Sequence, residues 1–224
     1  MTVGAGQVIY GRQPVAEAQR GRRRVRRVWT ADDTDPAELT ALAQSPDHQG
    51  IVAEVDAYPY ADPSQLLAAT DALVVALDQV HDPHNLGAVA RSAEAAGATG
   101  LVIPYRRSAG VTAAACKASA GAVEHLAIAR VANLADWLAA AKDAGAWIYG
   151  AQAGAAERYT RIDLTGKVVL VLGSEGKGMR PRVASSCDAL VSIPIRGRVA
   201  SLNVSAAAAA LLFEAVRQRE ATSR

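Results

Sequence analysis

Cysteine, aromatic residues and long apolar runs are all scarce in this 224-residue chain, and their scarcity excludes several kinds of protein. The two cysteines, Cys116 and Cys187, lie far apart and have no histidine or further cysteine at metal-ligand spacing, which argues against a zinc site or a disulfide scaffold. No apolar run approaches the roughly 20 residues of a membrane span. The first residues, MTVGAGQVIYGRQP, lack the apolar core of a signal peptide. We therefore expect a cytoplasmic protein with no metal and no membrane contact.

The chain also has little net charge, +2 at neutral pH, so its overall charge gives no argument for binding nucleic acid. The charge is uneven, however, because residues 1–30 contain seven arginines and a single acidic residue, Glu17. A run such as RGRRRVRRVW suits contacts with RNA phosphates. A solvated helix end followed by a strand edge explains the same run, and on charge alone both interpretations stay open. The candidates for RNA contact are Arg12, Arg22, Arg23 and Arg24.

The composition changes around DAYPYADPSQL, residues 56–66, which is typical of a linker. The segments before it suggest a small α/β module. After it, apolar runs that do not alternate with polar residues predict strands, and amphipathic stretches between them predict helices. The predicted strands lie near residues 73–77, 100–103, 127–131, 146–151, 168–172 and 189–195. The predicted helices lie near residues 85–96, 112–119, 134–144, 181–185 and 204–219. This order indicates a mostly parallel sheet with helices on both faces.

In such sheets ligands bind beyond the carboxyl ends of the strands, which directs attention to the loops 78–85, 173–180 and 194–203. In the first loop, Pro83 disfavours a helical Asp82, and Asn85 suits the N-cap of the next helix. Arg91 lies about 140° round that helix from the apolar Leu86, so it points away from the core. A capped helix with one exposed arginine is the structural alternative.

The second loop, GSEGKGM, does not have the glycine spacing of a phosphate-binding loop or of a dinucleotide fingerprint. Its Glu175 would repel phosphate and suits a cationic or hydroxyl-rich ligand. In the third loop, Ser201 or Asn203 could simply cap the alanine-rich helix that follows. A plain glycine turn and a plain helix cap therefore remain open for these two loops.

Taken together, NLGAVAR (residues 85–91), GSEGKGM (173–179) and IPIRGRVASLNVS (193–205) resemble the motifs of the SpoU family of RNA ribose 2′-O-methyltransferases, in the SPOUT superfamily of knotted enzymes. The segments IYGRQPVAEA and HQGIVAEV resemble the small L30e-like RNA-binding domain of its 23S rRNA guanosine subgroup. That domain usually has another helix and strand where this chain has residues 29–48, so it is expected to be shortened here.

The resemblance implies an α/β fold with a C-terminal trefoil knot, divided into an RNA-binding domain at residues 1–66 and a catalytic domain at 67–224. It implies S-adenosylmethionine as methyl donor, no metal, and a homodimer formed through the catalytic domain. The implied activity is 2′-O-methylation of RNA, with a guanosine of 23S rRNA as target. A tRNA enzyme of the same chemistry and a non-catalytic RNA-binding protein are the alternatives.

The same resemblance assigns the candidate site residues. The catalytic set is Asn85, Arg91, Glu175, Ser201 and Asn203. The residues expected to line the donor site are Gly173, Ile193 and Leu202.

Overall fold

The computed structural model describes residues 6–222 and begins with a small antiparallel sheet. Its strands are β1 (Gln7–Tyr10), β2 (Val25–Thr30) and β3 (Ile51–Val55), in the order β1-β3-β2. Helix α1 (Arg12–Arg20) follows Gly11, whose φ of 98° suits glycine. Helix α2 (Pro36–Ala43) is capped by the Asp35 side chain, which accepts from the amide of Ala37. The region expected to be shortened, residues 29–48, thus contains one helix and one short 3₁₀ turn between β2 and β3, with no strand between them.

A seven-stranded sheet forms the rest of the chain, and its strands pair in parallel throughout. Its strands are β4 (Leu73–Asp78), β5 (Gly100–Pro104), β6 (Ile128–Val131), β7 (Trp147–Ala151), β8 (Glu157–Arg158), β9 (Val168–Gly173) and β10 (Ala189–Ser192). Its helices are α3 (Pro83–Ala95), α4 (Ala113–Ala118), α5 (Leu134–Asp143), α6 (Pro181–Ser185) and α7 (Val204–Thr222). The predicted α/β class, with a mostly parallel sheet, is confirmed.

Alternate residues of β4 show that helices cover both faces of this sheet. Leu73 and Leu77 belong to a core that contains buried residues of α3, α4 and α7, whereas Val74 and Ala76 belong to a second core with α5 and α6. A strand buried on both faces reads as a continuous apolar run, because both sets of alternating side chains are inside.

The strand order β6-β5-β4-β9-β7-β10-β8 positions the loops. Because these strands are parallel, the loops that leave β4, β9 and β10 lie at the same end of the sheet. Strand β9 lies next to β4, and only β7 separates β9 from β10, so the three loops are also close together. The trefoil knot stays a prediction, since strand order does not record how the chain threads.

The segment predicted as a linker, residues 56–66, is packed against the large sheet. The hydroxyl of Tyr58 donates to the carbonyls of Val123 and Leu126 at 2.8 and 3.1 Å, and Tyr60 accepts from the amide of Val111 at 2.9 Å. Residues of the small sheet also join the α3-side core. The stretch predicted as a linker does join the two sheets, and it is packed because its tyrosines find hydrogen-bond partners. The division at residue 66 stays a prediction.

Candidate active site

The end of β4 carries a buried carboxylate that sequence reasoning missed. Asp78 is fully buried and accepts hydrogen bonds from the backbone amide and the Nε of Arg180, at 2.8 and 2.9 Å, with Nη2 at 2.7 Å. Nε and Nη2 both contact Oδ1, while the amide contacts Oδ2, and these charge-assisted contacts tie the loop after β9 to the end of β4. The available signal was an acidic residue closing the otherwise apolar strand LVVALD, since a buried carboxylate requires a partner.

The loop after β9 turns back sharply on itself. Ser174 and Gly178 exchange backbone hydrogen bonds of 3.2 and 2.9 Å, and Gly176 and Gly178 have φ values of 80° and 68°. A Cβ on Gly173 would lie 2.1 Å from the carbonyl carbon of Gly178. Only glycine permits this close approach of loop and strand, and the turn leaves Glu175 exposed at its outer side.

Three polar side chains from the segments that follow β4, β9 and β10 meet in one cluster. Asn85 donates to Oε1 of Glu175 at 3.1 Å, and Asn203 donates to the same oxygen at 2.5 Å and to Oδ1 of Asn85 at 2.9 Å. The structure thus brings together three of the five predicted catalytic residues, Asn85, Glu175 and Asn203, which we call the amide–carboxylate cluster.

The helix caps around this cluster differ in part from expectation. Asp82, not Asn85, caps α3 by accepting from the amide of His84 at 2.9 Å, which leaves Asn85 in the first turn and its side chain free for Glu175. Asn203 does both predicted jobs, since its Oδ1 accepts from the amide of Ser205 at 2.8 Å while its Nδ2 enters the cluster. Asn85 was therefore wrongly predicted as a cap.

The cluster presents only hydrogen-bond donors to one oxygen of the Glu175 carboxylate. Both contacts to Oε1 of Glu175 are amide donors, and the N-termini of α3 and α7 bring the positive ends of two helix dipoles to it. Across residues 6–222, the other carboxylate oxygen of Glu175 and the hydroxyl of Ser201 have no hydrogen-bond partner. A polar ligand that enters here therefore meets an anionic acceptor and a free hydroxyl.

A cavity of about 460 Å³ opens beside the cluster, at the ends of β7, β9 and β10. Its walls are formed by apolar side chains and by the segments that follow β7, β9 and β10. All three residues predicted to line a donor site, Gly173, Ile193 and Leu202, line it, as do Glu175 and Ser201. Further lining residues that the sequence did not indicate are Gln152, Leu172, Met179, Val191 and Ile195.

Arg91 stands apart from the cluster. Its side chain is exposed on α3, as predicted from its angle to Leu86, and within the described range it makes no hydrogen bond or ion pair. Arg91 follows Asn85 by six residues on the helix, a rise of about 9 Å along the axis. Its predicted catalytic role therefore stays a prediction.

The four N-terminal arginines behave differently from one another. Arg23 is 4% exposed and donates to Glu124 at 2.9 Å and to Gln7 at 2.7 Å, so its predicted role as an RNA contact is wrong. Arg22 donates to the carbonyl of Leu126 at 2.6 Å and so also binds the large-sheet half. Arg12, Arg22 and Arg24 are exposed and remain candidates for RNA contact.

Within residues 6–222, no group of three or more histidine, cysteine, aspartate and glutamate side chains is placed to hold a metal ion. In the same range, no helix has the length and apolar character needed to cross a bilayer.

The sequence and the fold match known proteins. The family model described as the SpoU rRNA Methylase family matches residues 72–213, which contain all three loops. YacO of Bacillus subtilis, assigned to the TrmH family of tRNA/rRNA methyltransferases, is 38% identical to the chain over 94% of the chain and 95% of its own length.

Three solved structures bear on the comparison. The SpoU methyltransferase AviRb of Streptomyces viridochromogenes superposes with a TM-score of 0.81 at 29% identity, over 97% of this chain and 91% of its own, and it is also known in complex with AdoMet. An AdoMet-bound rRNA methyltransferase from Sinorhizobium meliloti has a TM-score of 0.84 at 25% identity, over 95% and 87%. A TrmH/SpoU tRNA-modifying enzyme from A. aeolicus has a TM-score of 0.61 at 28% identity, over 72% and 84%.

Proposed function

Because the chain belongs to the SpoU rRNA methylase family and is an RNA methyltransferase that uses S-adenosylmethionine, we propose that it methylates the 2′-hydroxyl of a ribose, and that its target is a guanosine of 23S rRNA. The observation that carries the ribose assignment is the amide–carboxylate cluster beside the cavity. A carboxylate that is oriented by two amide donors, with one oxygen free to accept, suits a hydroxyl group that must be aligned and must lose its proton.

The cavity fits the methyl donor. Its volume of about 460 Å³ lies in the range of small-molecule sites, and its mixture of apolar wall and loop backbone is typical of them. Gly173, Ile193 and Leu202 would hold the donor, with Gly173 providing the close backbone approach. Bound S-adenosylmethionine supplies an electrophilic methyl group on a positively charged sulfur, and the anionic Glu175 on the cavity wall complements that charge.

The chain's own residues divide the remaining work. Asn85 and Asn203 orient Glu175, whose free oxygen accepts from the incoming ribose hydroxyl and aligns it. The guanidinium of Arg91 stays protonated in proteins, so it cannot serve as the base. We assign it instead to the phosphate next to the target ribose and to the negative charge that develops on the attacking oxygen. The proton of the ribose hydroxyl is then transferred to that phosphate, to water or to a neighbouring side chain.

Ribosomal RNA is favoured over tRNA by the N-terminal sheet. The rRNA methyltransferase of Sinorhizobium meliloti covers 95% of the chain, whereas the tRNA-modifying enzyme of A. aeolicus covers 72%. The larger overlap with the rRNA enzyme supports an rRNA target here. Transfer RNA is the second candidate, since YacO is named for both substrates.

We also propose a homodimer formed through the catalytic half. Phe213 on α7 is 51% exposed, and Val199 and Leu202 in the loop before α7 are 73% and 43% exposed. Large apolar side chains concentrated on one helix and the adjoining loop suit burial against a second copy. Sedimentation equilibrium of the wild type and of Phe213→Glu tests this, because a charge on that face would dissociate the dimer.

The deciding experiment transfers labelled methyl from S-adenosylmethionine to unmodified 23S rRNA and to bulk tRNA, followed by digestion that separates ribose-methylated from base-methylated nucleotides. We expect label on a ribose of 23S rRNA that is lost in Arg91→Ala. Label on tRNA alone would overturn the rRNA assignment, and label on a base would overturn the ribose assignment. Near-normal turnover of Arg91→Lys would refute the assignment of a planar, two-pronged contact to Arg91.

A further inference from the structure

The loop that follows β5, residues 105–111 (YRRSAGV), is held at one end by the large sheet and at the other by the connecting segment 56–66. The amide of Tyr105 donates to the carbonyl of Val131 at 2.8 Å, and the amide of Val111 donates to the hydroxyl of Tyr60 at 2.9 Å. Between them, the amide of Ala109 donates to the carbonyl of Val80 at 2.8 Å. The loop therefore presents its side chains from a rigid backbone.

What this loop presents is an aromatic ring and two cations. Tyr105 is 56% exposed, and Arg106 and Arg107 are exposed. Neither arginine makes a hydrogen bond or ion pair with any residue in the described part of the chain. Arg107 has a φ of 58°, an uncommon conformation for a residue with a side chain, which the anchors on either side hold in place. Two adjacent like charges in a fixed loop repel each other, and an anionic ligand would relieve that repulsion.

The ring of Tyr105 is itself held in position. The guanidinium of Arg130 lies 5.1 Å from the centre of the Tyr105 ring and 5.1 Å from that of Tyr60, and its Nη2 donates to the carbonyl of Tyr105 at 3.0 Å. One face of the Tyr105 ring is thus covered by a stacked cation, while more than half of the residue stays exposed. An ordered, exposed aromatic ring costs little conformational entropy when a planar ligand stacks on it.

The loop also lies next to the site. It leaves the carboxyl end of β5, the neighbour of β4, so it shares the sheet end where the cavity opens. Its anchor Val80 belongs to the turn between β4 and α3, five residues before Asn85. A ligand bound to the loop is therefore held close to the segment that carries Asn85.

We propose that residues 105–107 bind the RNA substrate beside the target nucleotide, with Tyr105 stacking on an unpaired base and Arg106 and Arg107 contacting the adjacent phosphates. The inference rests on the proposed function only in taking RNA as the ligand. An aromatic stacking surface flanked by guanidinium groups is the combination that binds single-stranded nucleic acid, since it meets both the base and the backbone.

The test measures binding of a 23S rRNA transcript by filter retention across a salt series, without any methyl donor. The variants are Arg106→Ala/Arg107→Ala, Tyr105→Ala and Tyr105→Phe. The matched control, Lys142→Ala/Lys167→Ala, removes two positive charges from the opposite end of the sheet, where each lysine makes one polar contact. Calorimetric titration with S-adenosylmethionine checks that every variant keeps its donor site.

We expect the double arginine variant to lower the slope of log affinity against log salt by about 1.5, which corresponds to two lost phosphate contacts. Tyr105→Ala should weaken binding by roughly fivefold to a hundredfold, the range for loss of one stacked base, and Tyr105→Phe should restore it. A merely structural role for the loop would not change the salt slope.

A salt slope for the double arginine variant equal to that of the lysine control overturns the inference, as does a wild type that binds no RNA. If the wild type methylates 23S rRNA while the loop variants bind it normally, the inference fails and the proposed function stands. If the wild type methylates no RNA but the arginine variant loses its salt-dependent affinity, the loop assignment stands and the proposed function fails.

Discussion

The buried pair of Arg23 and Glu124 gives the sharpest prediction about stability. Both side chains are 1% exposed, and they join the segment after α1 to a turn of the large-sheet half 101 residues away. Arg23 also donates to Gln7 and Cys116, and its guanidinium lies 5.4 Å from the ring centre of Tyr58. Replacing Glu124 with glutamine keeps the volume but leaves the buried guanidinium without a counter-charge.

The expected cost follows from that burial. Removing one partner of a buried ion pair destabilises a protein by about 3–5 kcal/mol, because the remaining charge is desolvated and uncompensated. Gln7 and Cys116 offer only neutral acceptors to Arg23, so they offset little of this loss. For a domain of this size, about 1 kcal/mol corresponds to roughly 2–4 °C, so Glu124→Gln should lower the melting temperature by roughly 6–20 °C.

Thermal unfolding followed by circular dichroism measures this directly. The double variant Arg23→Met/Glu124→Leu removes both charges and should recover most of the loss. Asp136→Asn, which breaks the exposed pair with Arg182, should cost less than about 1 kcal/mol and serves as the matched control. If Glu124→Gln melts with the wild type while Arg23→Met loses salt-dependent RNA affinity, the buried role assigned to Arg23 is refuted.

Three further predictions follow from the site and the core. Gly173→Ala should weaken S-adenosylmethionine binding by roughly tenfold or more in calorimetry, since its Cβ would lie 2.1 Å from the Gly178 carbonyl carbon and a loss of about 1.4 kcal/mol already has that effect. Gly166→Ala is the control, because Gly166 does not line the cavity: its φ of 67° should make the substitution cost stability without weakening donor binding. Glu175→Gln should slow single-turnover methyl transfer by about 10²-fold or more with RNA affinity unchanged, and near-normal transfer would remove Glu175 from the chemistry. Burial raises the pKa of Cys116 from 9.0 to about 11, so the folded state keeps a proton that the unfolded chain loses. Its contribution to stability is complete below about pH 9 and falls as pH rises towards 11. This decline should be smaller in Cys116→Ala when the unfolding free energy is measured by denaturant titration across that range.

Local pattern was sufficient for most of the fold. The apolar run LVVAL, residues 73–77, was predicted as a strand of a sheet covered on both faces, and every residue of β4 is buried. The three loops were identified because a parallel sheet places its binding loops at one end. The resemblance then selected Asn85, Glu175 and Asn203, which the structure joins by hydrogen bonds.

Local pattern failed where the choice lay between equivalent residues. Asp82 and Asn85 are both good N-caps, and the structure caps α3 with Asp82 while Asn85 bonds Glu175. In the run RGRRRVRR, Arg23 is buried and Arg24 is exposed, although the two are adjacent and identical in type. Nothing within a few residues distinguishes them, because their partners lie elsewhere in the chain.

The sequence by itself determined the alternation of strands and helices, the parallel class of the sheet and the three loops that form the site, since each depends on residues close together in the chain. Tertiary structure alone decided the pairing of Arg23 with Glu124 and of Asp78 with Arg180, whose members are 101 and 102 residues apart. The second pairing depends on β9 lying next to β4, and the first on how the small sheet packs against the turn before β6. This arrangement is set by the burial of the whole core, a property of the complete chain that no short segment contains.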